Sequence, residues 1–157
     1  QTTTVDAIDK VEIFLEDYPE SKYYSDVLSI KLNLKHKLAK KEYESAVLYM
    51  KLQEYKSALV YLFEIINNHI PLKQSSFPIM SLNEQNILLQ NLLDNSRIMI
   101  IYAYILDERK SMAQEFYQLQ VNNFYDLKSK DKAGKLINSH ESTGLDMWKH
   151  IYFGISK

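Results

Sequence analysis

Cysteine is absent from this sequence, and glycine and proline occur only three times each. Without cysteine, neither a disulfide-bonded scaffold nor thiolate catalysis or a cysteine-based metal site is available to the chain. The scarcity of glycine and proline favours helices over a turn-rich β protein. The sequence also lacks the run of about 18 apolar residues that a membrane-spanning helix requires.

The balance of charge argues against nucleic acid as a partner. There are 19 Lys and Arg against 20 Asp and Glu, whereas nucleic-acid-binding domains usually show a clustered basic excess. Charge is nevertheless uneven, because six of the seven charged residues in the segment 1–20 are acidic, whereas residues 31–41 hold five lysines and no acid. We interpret both segments as ordinary solvated helix surface. The alternative is a docking surface for an acidic partner or anionic lipid headgroups.

Apolar residues recur with the α-helical period along most of the chain, which predicts an all-α fold. Tyr18-Pro19 ends the first helix, because the residue before a proline disfavours helix. Serine caps are expected at Ser21 and at Ser81, where Glu84 completes a capping box. Residues 71–78 are predicted to form a loop, and residues 128–135 a polar, frayed segment. The predicted helices cover residues 4–17, 22–52, 55–69, 81–106, 110–124 and 145–155, the last behind a Ser142/Thr143 cap.

A short pattern of a small residue followed by larger ones recurs along these helices. The small residue lets a neighbouring helix approach closely, and the larger residues fill the groove beside it. The pattern predicts tetratricopeptide-like helical hairpins stacked as a right-handed α-solenoid, since single hairpins cannot bury their own apolar faces. The three copies are Ala7, Val11, Phe14 and Pro19; Ala58, Leu62, Ile65 and Pro71; and Ala113, Tyr117, Gln120 and Tyr125.

We expect one repeat domain over residues 1–157. Within it, residues 1–19 would form the second helix of a partial repeat and residues 127–157 a C-terminal tail and helix. Repeat hairpins are predicted at residues 22–71 and 81–126. The repeat also separates six of the 12 tyrosines into two groups. Core positions are predicted for Tyr49, Tyr55 and Tyr117, whereas partial burial or partner contact remains open for Tyr23, Tyr43 and Tyr61.

No catalytic or metal-binding motif stands out in the sequence. His140-Glu141 resembles the start of a zinc-protease phrase, but Gly144 stands where the second histidine belongs. Carboxylate pairs such as Glu42/Glu44 are interpreted as solvated helix surface. We therefore predict a protein that is not an enzyme and that has no metal and no cofactor. The four histidines, His36, His69, His140 and His150, lack the spacing of metal ligands.

From Gln1 to about Pro71 the chain resembles the BamD family of outer-membrane assembly lipoproteins. The resemblance rests on an ordered series of phrases: Tyr18-Pro19-Glu20-Ser21-Lys22-Tyr23, then Leu38-Ala39-Lys40-Lys41-Glu42, then Ala46-Val47-Leu48-Tyr49-Met50-Lys51, and finally Tyr55-Lys56-Ser57-Ala58. Residues 83–126 match only as a general repeat hairpin. Because the family's N-terminal repeats and lipidated cysteine are not among these 157 residues, the chain is expected to be a trimmed piece carrying the C-terminal repeats.

The resemblance implies a scaffold at the periplasmic face of the outer membrane, lipid-anchored in the full-length protein, that binds the POTRA domains of BamA. The expected interface is the outward side of the helix that begins near residue 55, and its residues are Tyr43, Lys56, Tyr61, Glu64 and Asn68. The alternative function is a soluble tetratricopeptide-repeat adaptor that binds an extended peptide or another protein. An enzyme ranks third, since no site can be assembled for one.

Overall fold

The computed structural model describes residues 2–69 and 80–138, and this part of the chain contains six α-helices and no strand. The predicted all-α, tetratricopeptide-like fold is confirmed. The helices are α1 (Thr2–Asp17), α2 (Tyr24–Lys51), α3 (Tyr55–Asn68), α4 (Met80–Leu106), α5 (Lys110–Gln120) and α6 (Leu127–Asn138).

The helices pack in chain order as two stacked hairpins with a helix at each end. Helices α2 and α3 form the first hairpin and α4 and α5 the second, and α4 packs against both helices of the first. Helix α1 packs on α2, and α6 packs on α4 and α5. The repeat alanines Ala58 and Ala113 are fully buried, as are Leu62 and Ile65. These small residues allow the close helix contacts that the repeat predicts.

The two hairpins have the same turn. In the first, Gln53 adopts a left-handed conformation (φ 62°) and Glu54 donates its backbone N–H to Tyr49. In the second, Glu108 is left-handed (φ 59°) and Arg109 donates to Tyr104. Each of these pairs of equivalent residues is separated by 55 positions, as are Ala58 and Ala113. The internal repeat is therefore present at the level of individual backbone hydrogen bonds.

An aromatic pair recurs at the same spacing. Tyr49 stacks on Tyr61 with ring centroids 5.4 Å apart, and their equivalents Tyr104 and Phe116 lie 6.5 Å apart. Phe63 then meets Phe116 edge to face at 5.7 Å, which joins the two hairpins. Aromatic pairs of this geometry contribute about 0.5–1.5 kcal/mol beyond the area they bury. Tyr61, which had no assigned place in the sequence repeat, thus has one in the structure.

Several helix ends differ from the predictions. Helix α2 begins at Tyr24 and not at Lys22, so Tyr23, not Ser21, occupies the N-cap position. The Ser21 hydroxyl instead accepts the Tyr23 N–H at 3.2 Å in the preceding turn. Helix α4 begins at Met80, which places Ser81 inside the helix and not at its cap. Helix α5 ends at Gln120 instead of continuing to Phe124.

The prediction of a frayed segment at residues 128–135 was wrong, because these residues belong to α6. Asp126 caps this helix: its carboxylate accepts the backbone N–H of Ser129 at 2.9 Å and the Ser129 hydroxyl at 3.1 Å. The same bonds lower the pKa of Asp126. Ala133 is fully buried, and Leu136 and Ile137 pack against the main core, so a short apolar face and a cap stabilise a mostly polar segment. The predicted loop at residues 71–78 and the helix at 145–155 with its cap lie outside the described residues.

Candidate functional site

The outward strip of α3 carries three of the five residues predicted to bind a partner. Lys56, Glu64 and Asn68 are exposed at intervals of four or eight residues, and Val60 between them is 67% exposed. Asn68 donates its side-chain N–H to Glu64. The strip therefore presents a cation, an apolar side chain, a carboxylate and an amide along one side of a helix.

The two predicted tyrosines are placed differently from these exposed residues. Tyr61 is half-buried, because it stacks on Tyr49 and packs against the main core. Tyr43, on α2, is also half-buried against the core, and burial raises the pKa of its hydroxyl well above the usual range. Both rings are thus held by the fold and expose only part of their surface. A partner on the α3 strip would meet Tyr61 at its flank.

A buried polar pair joins the two helices of the first hairpin. His69 Nε2 lies 2.8 Å from a carboxylate oxygen of Glu42, and the two residues are 4% and 9% exposed. The interpretation of Glu42 as solvated surface was therefore wrong. A signal was present in the sequence, because Glu42 lies between Ala39 and Ala46, three and four residues away on the buried face of α2.

A second buried network ties α4 to the start of α6. The Asp94 carboxylate accepts the backbone N–H of Tyr125 at 3.0 Å and that of Asp126 at 2.8 Å, and it pairs with Arg97 at 3.1 Å. Arg97 Nε in turn donates to the Gln120 side chain at 3.3 Å. Burial raises the pKa of the Asp94 carboxyl, although its backbone and Arg97 bonds act in the opposite direction. No motif or spacing in the sequence singled out Asp94 or Arg97.

The two buried networks face a common cleft of about 410 Å³. Ile66 and His69 line it from the end of α3, Leu93 and Arg97 from α4, and residues 122–125 from the segment after α5. The Arg97 guanidinium lies over two of these lining rings, 5.9 Å from the Phe124 centroid and 5.5 Å from that of Tyr125. Within the described part of the chain, His69 Nδ1 is buried without a hydrogen-bond partner.

The uneven charge of the N-terminal half is partly paired inside the molecule. Lys31 and Lys35 of α2 lie 2.9 and 3.4 Å from the Glu12 carboxylate of α1. The hydrogen bond from Lys31 lowers the pKa of Glu12. Lys37, Lys40 and Lys41 remain exposed. The acidic and basic segments thus act in part as a contact between α1 and α2, and the exposed lysines stay open to a partner.

Residues 2–69 and 80–138 contain no group of three His, Asp or Glu side chains that could hold a metal ion. The same residues form no helix of the length and apolarity needed to cross a membrane.

One comparison with known proteins identifies the family. A family model described as YfiO, outer membrane lipoprotein, matches residues 1–95, which span α1 to α3 and α4 as far as Asn95. No curated protein and no solved structure matches the chain. Because the matched segment covers more than half of the 157 residues, the chain belongs to the YfiO family of outer membrane lipoproteins.

Proposed function

We propose that this chain is a non-catalytic scaffold of the outer-membrane β-barrel assembly complex and that it binds the POTRA domains of BamA. The observation that carries the proposal is the match of residues 1–95 to the YfiO family, which implies a role in outer-membrane assembly. The stacked hairpins support it, since such repeats act by presenting extended binding surfaces.

Three finer assignments belong to the same proposal. The chain corresponds to the C-terminal repeats of a BamD protein, as one repeat domain with a partial repeat at residues 1–19, hairpins at 22–71 and 81–126, and a tail at 127–157. The full-length protein would be lipid-anchored at the periplasmic face of the outer membrane. These assignments rest on the ordered phrases of the first 71 residues and on the repeated turns.

The proposed contact surface is the strip of Lys56, Tyr61, Glu64 and Asn68, with Tyr43 behind it. The exposed charges at Lys56 and Glu64 would select the orientation of the partner, as charges at the rim of an interface do. Val60, a large and highly exposed apolar residue between them, adds area that loses water on binding. Tyr61 would supply an aromatic ring already fixed by Tyr49, which lowers the entropy lost on association.

A pull-down against the POTRA domains of BamA from the same organism tests the proposal. The test variant is Lys56→Glu/Glu64→Lys, which reverses two exposed charges without touching the core. The matched control is Asp131→Lys/Lys135→Glu on α6, which reverses another exposed pair of opposite charges. We expect binding by the parent and the control and a loss of at least about tenfold in the test variant.

Each result has a distinct meaning. Binding that survives the test variant keeps the scaffold function and places the interface elsewhere. Binding lost in both variants indicates general electrostatics instead of a defined contact. A folded parent chain that does not bind any POTRA domain overturns the proposal and favours the adaptor alternative. That alternative is supported by one feature, the cleft between the two hairpins.

A further inference from the structure

The exposed side of α2 carries three lysines that lie close together. Lys37, Lys40 and Lys41 are all exposed, and residues three or four positions apart are neighbours on a helix surface. Within residues 2–69 and 80–138, none of the three forms an ion pair. Of the two exposed acids of α2, Glu44 is close to the lysines and Asp26 is at least eleven residues away. Positive charge therefore exceeds negative charge in this part of the helix surface.

The neighbouring turns of α2 add to the positive charge. Lys31 and Lys35 lie 2.9 and 3.4 Å from the same Glu12 carboxylate, so two positive charges share one negative charge. Burial and the charge of Lys40 lower the pKa of His36, so the Lys40 charge acts on its neighbours without being cancelled locally. The middle of α2 is thus positively charged in a protein whose net charge is −1.

Exposed aliphatic side chains lie on either side of these lysines along the helix. Ile30 is 50% exposed and Leu48 is 55% exposed. Ile30 precedes Lys37 by seven residues and Leu48 follows Lys41 by seven, a spacing that returns to the same side of a helix. We call Ile30, Lys37, Lys40, Lys41 and Leu48 the basic face. It is about 27 Å long, because a helix rises about 1.5 Å per residue.

The composition of the basic face differs from that of a typical protein-binding surface. Protein interfaces are enriched in aromatic residues and Arg and depleted in Lys. Helix α2 contains no Arg, and its tyrosines are half-buried. Lysine and aliphatic side chains together instead suit an anionic membrane surface, because ammonium groups attract the headgroups and apolar side chains enter the boundary below them. The family of the chain, outer membrane lipoproteins, is one whose members are found at a membrane.

We propose that the basic face of α2 lies on the anionic headgroups of a lipid bilayer. The proposal goes beyond the proposed function, because it assigns a second surface, on a different helix from the α3 strip, to a different kind of partner. Each lysine near an anionic bilayer strengthens binding about fivefold. Three lysines should therefore contribute on the order of a hundredfold. Contact along this face would also fix the orientation of the hairpins relative to the membrane.

Co-sedimentation of the 157-residue chain with lipid vesicles tests the proposal. Vesicles of phosphatidylcholine alone are compared with vesicles that contain about 30% phosphatidylglycerol, an anionic lipid. We expect binding to the anionic vesicles to be tighter by on the order of a hundredfold and to weaken in about 0.5 M salt. The variant Lys37→Glu/Lys40→Glu/Lys41→Glu should bind anionic vesicles no better than neutral ones.

The matched control is Lys10→Glu/Lys110→Glu/Lys128→Glu. It changes the net charge by the same amount, at exposed lysines of α1, α5 and α6. Because these lysines lie on three different helices, the control should bind anionic vesicles within about threefold of the parent. All substituted side chains are exposed in both variants, so both should fold, and circular dichroism checks this.

A probe attached at one position distinguishes the basic face from other surfaces. Because the sequence has no cysteine, Leu48→Cys and Val60→Cys each provide a single thiol for a polarity-sensitive fluorophore. The two side chains are similarly exposed, at 55% and 67%, but Val60 is on the α3 strip. We expect the fluorophore at position 48 to report an apolar environment on anionic vesicles, whereas the fluorophore at position 60 should remain in water.

Three results would overturn the proposal. They are equal or absent binding to the two kinds of vesicle, an equal loss of binding in both triple variants, and a fluorophore response at position 60 without one at position 48. If the triple variant of the basic face lost POTRA binding and the parent did not bind vesicles, the face would belong to an acidic protein surface instead. The POTRA pull-down contains no lipid, so its failure would leave the vesicle result unchanged.

Discussion

The two hairpins have the same backbone turn but differ in the buried polar groups that hold their helices together. Positions 55 residues apart show the contrast: Glu42 and His69 form a buried hydrogen-bonded pair in the first hairpin, and the equivalent Arg97 and Phe124 form a cation–π contact in the second. Ala39 in the first hairpin corresponds to Asp94 in the second, and both are buried completely. The two hairpins therefore share turns and small residues, whereas the buried polar chemistry is particular to each one.

The difference determines which elements each buried network connects. Asp94 holds the backbone of Tyr125 and Asp126, so the second hairpin fixes the start of α6 directly. In the first hairpin, the His69 side chain bonds to Glu42 of the same hairpin. One network thus connects a hairpin to the next helix, and the other closes a hairpin on itself.

The largest effect is expected from Asp94→Ala. This change leaves Arg97 without its carboxylate and two backbone N–H groups without an acceptor, which should lower the free energy of unfolding by about 3–5 kcal/mol. Urea unfolding followed by circular dichroism measures it. An alanine fits sterically at the equivalent position, Ala39, so the loss would be electrostatic.

The control for Asp94 is Asp131→Ala, which removes an exposed carboxylate of α6. It should change the stability by less than about 0.5 kcal/mol. If Asp94→Ala cost no more than this control, the network would not be what joins the second hairpin to α6.

The next largest effect concerns the Glu42–His69 pair. Glu42→Ala should cost about 2–3 kcal/mol, because it leaves a buried imidazole with neither nitrogen paired. Glu42→Leu/His69→Leu removes both polar groups and should recover to within about 1 kcal/mol of the parent. A double-mutant cycle by urea unfolding gives the coupling. Additive losses from the two single variants would show that the pair is not coupled and that the comparison with Arg97 and Phe124 is only geometric.

The sequence predicted the repeated elements better than the polar groups between them. The alanines and apolar residues of the pattern revealed both hairpins because a packing helix needs small and large residues at fixed spacing. The buried pairing of Glu42 with His69 and of Asp94 with Arg97 was not predicted, because charged residues are usually exposed and their partners are brought together only by tertiary contacts. The five predicted partner residues were chosen from helical spacing, which cannot reveal that Tyr61 stacks on Tyr49.

Substitutions in the two hairpin turns are expected to have a smaller effect and to stabilise the chain. Gln53 and Glu108 adopt the left-handed conformation without the glycine that usually marks such a position, so the sequence carries no signal for these turns. The left-handed conformation costs a non-glycine residue about 1–2 kcal/mol, and glycine adds about 0.5–1 kcal/mol of entropy loss. Gln53→Gly and Glu108→Gly should each stabilise the chain by about 0.5–1 kcal/mol in thermal unfolding.

Lys51→Gly is the control for the turns, because Lys51 is the last residue of α2 and has a helical conformation. A glycine there should cost up to about 1 kcal/mol. Equal gains from Gln53→Gly and Glu108→Gly would support the equivalence of the two turns. If glycine lowered the stability at one position and raised it at the other, the two turns would not be equivalent.

The smallest effect is expected at the contact between α1 and the first hairpin. Helix α1 contacts α2 through a minor cluster containing Leu15, Leu28 and Leu32 and through the pairs of Glu12 with two lysines. Because the Lys31 hydrogen bond lowers the pKa of Glu12 below its ordinary value of 4.5, the folded state favours the ionised form. The resulting stabilisation is complete above that ordinary value and is lost as the pH falls through the lowered pKa.

Glu12→Gln tests this contribution by difference. At about pH 7 the free energy of unfolding of the parent should exceed that of the variant by a few tenths of a kcal/mol, a small difference because the pair is partly exposed. At about pH 2 the two free energies should be equal. Salt at about 1 M should reduce the difference at neutral pH. Glu16→Gln, an exposed neighbour on α1, is the control and should show no such pH dependence. A difference that persists unchanged at low pH would mean that the ionised Glu12 carboxylate is not its source.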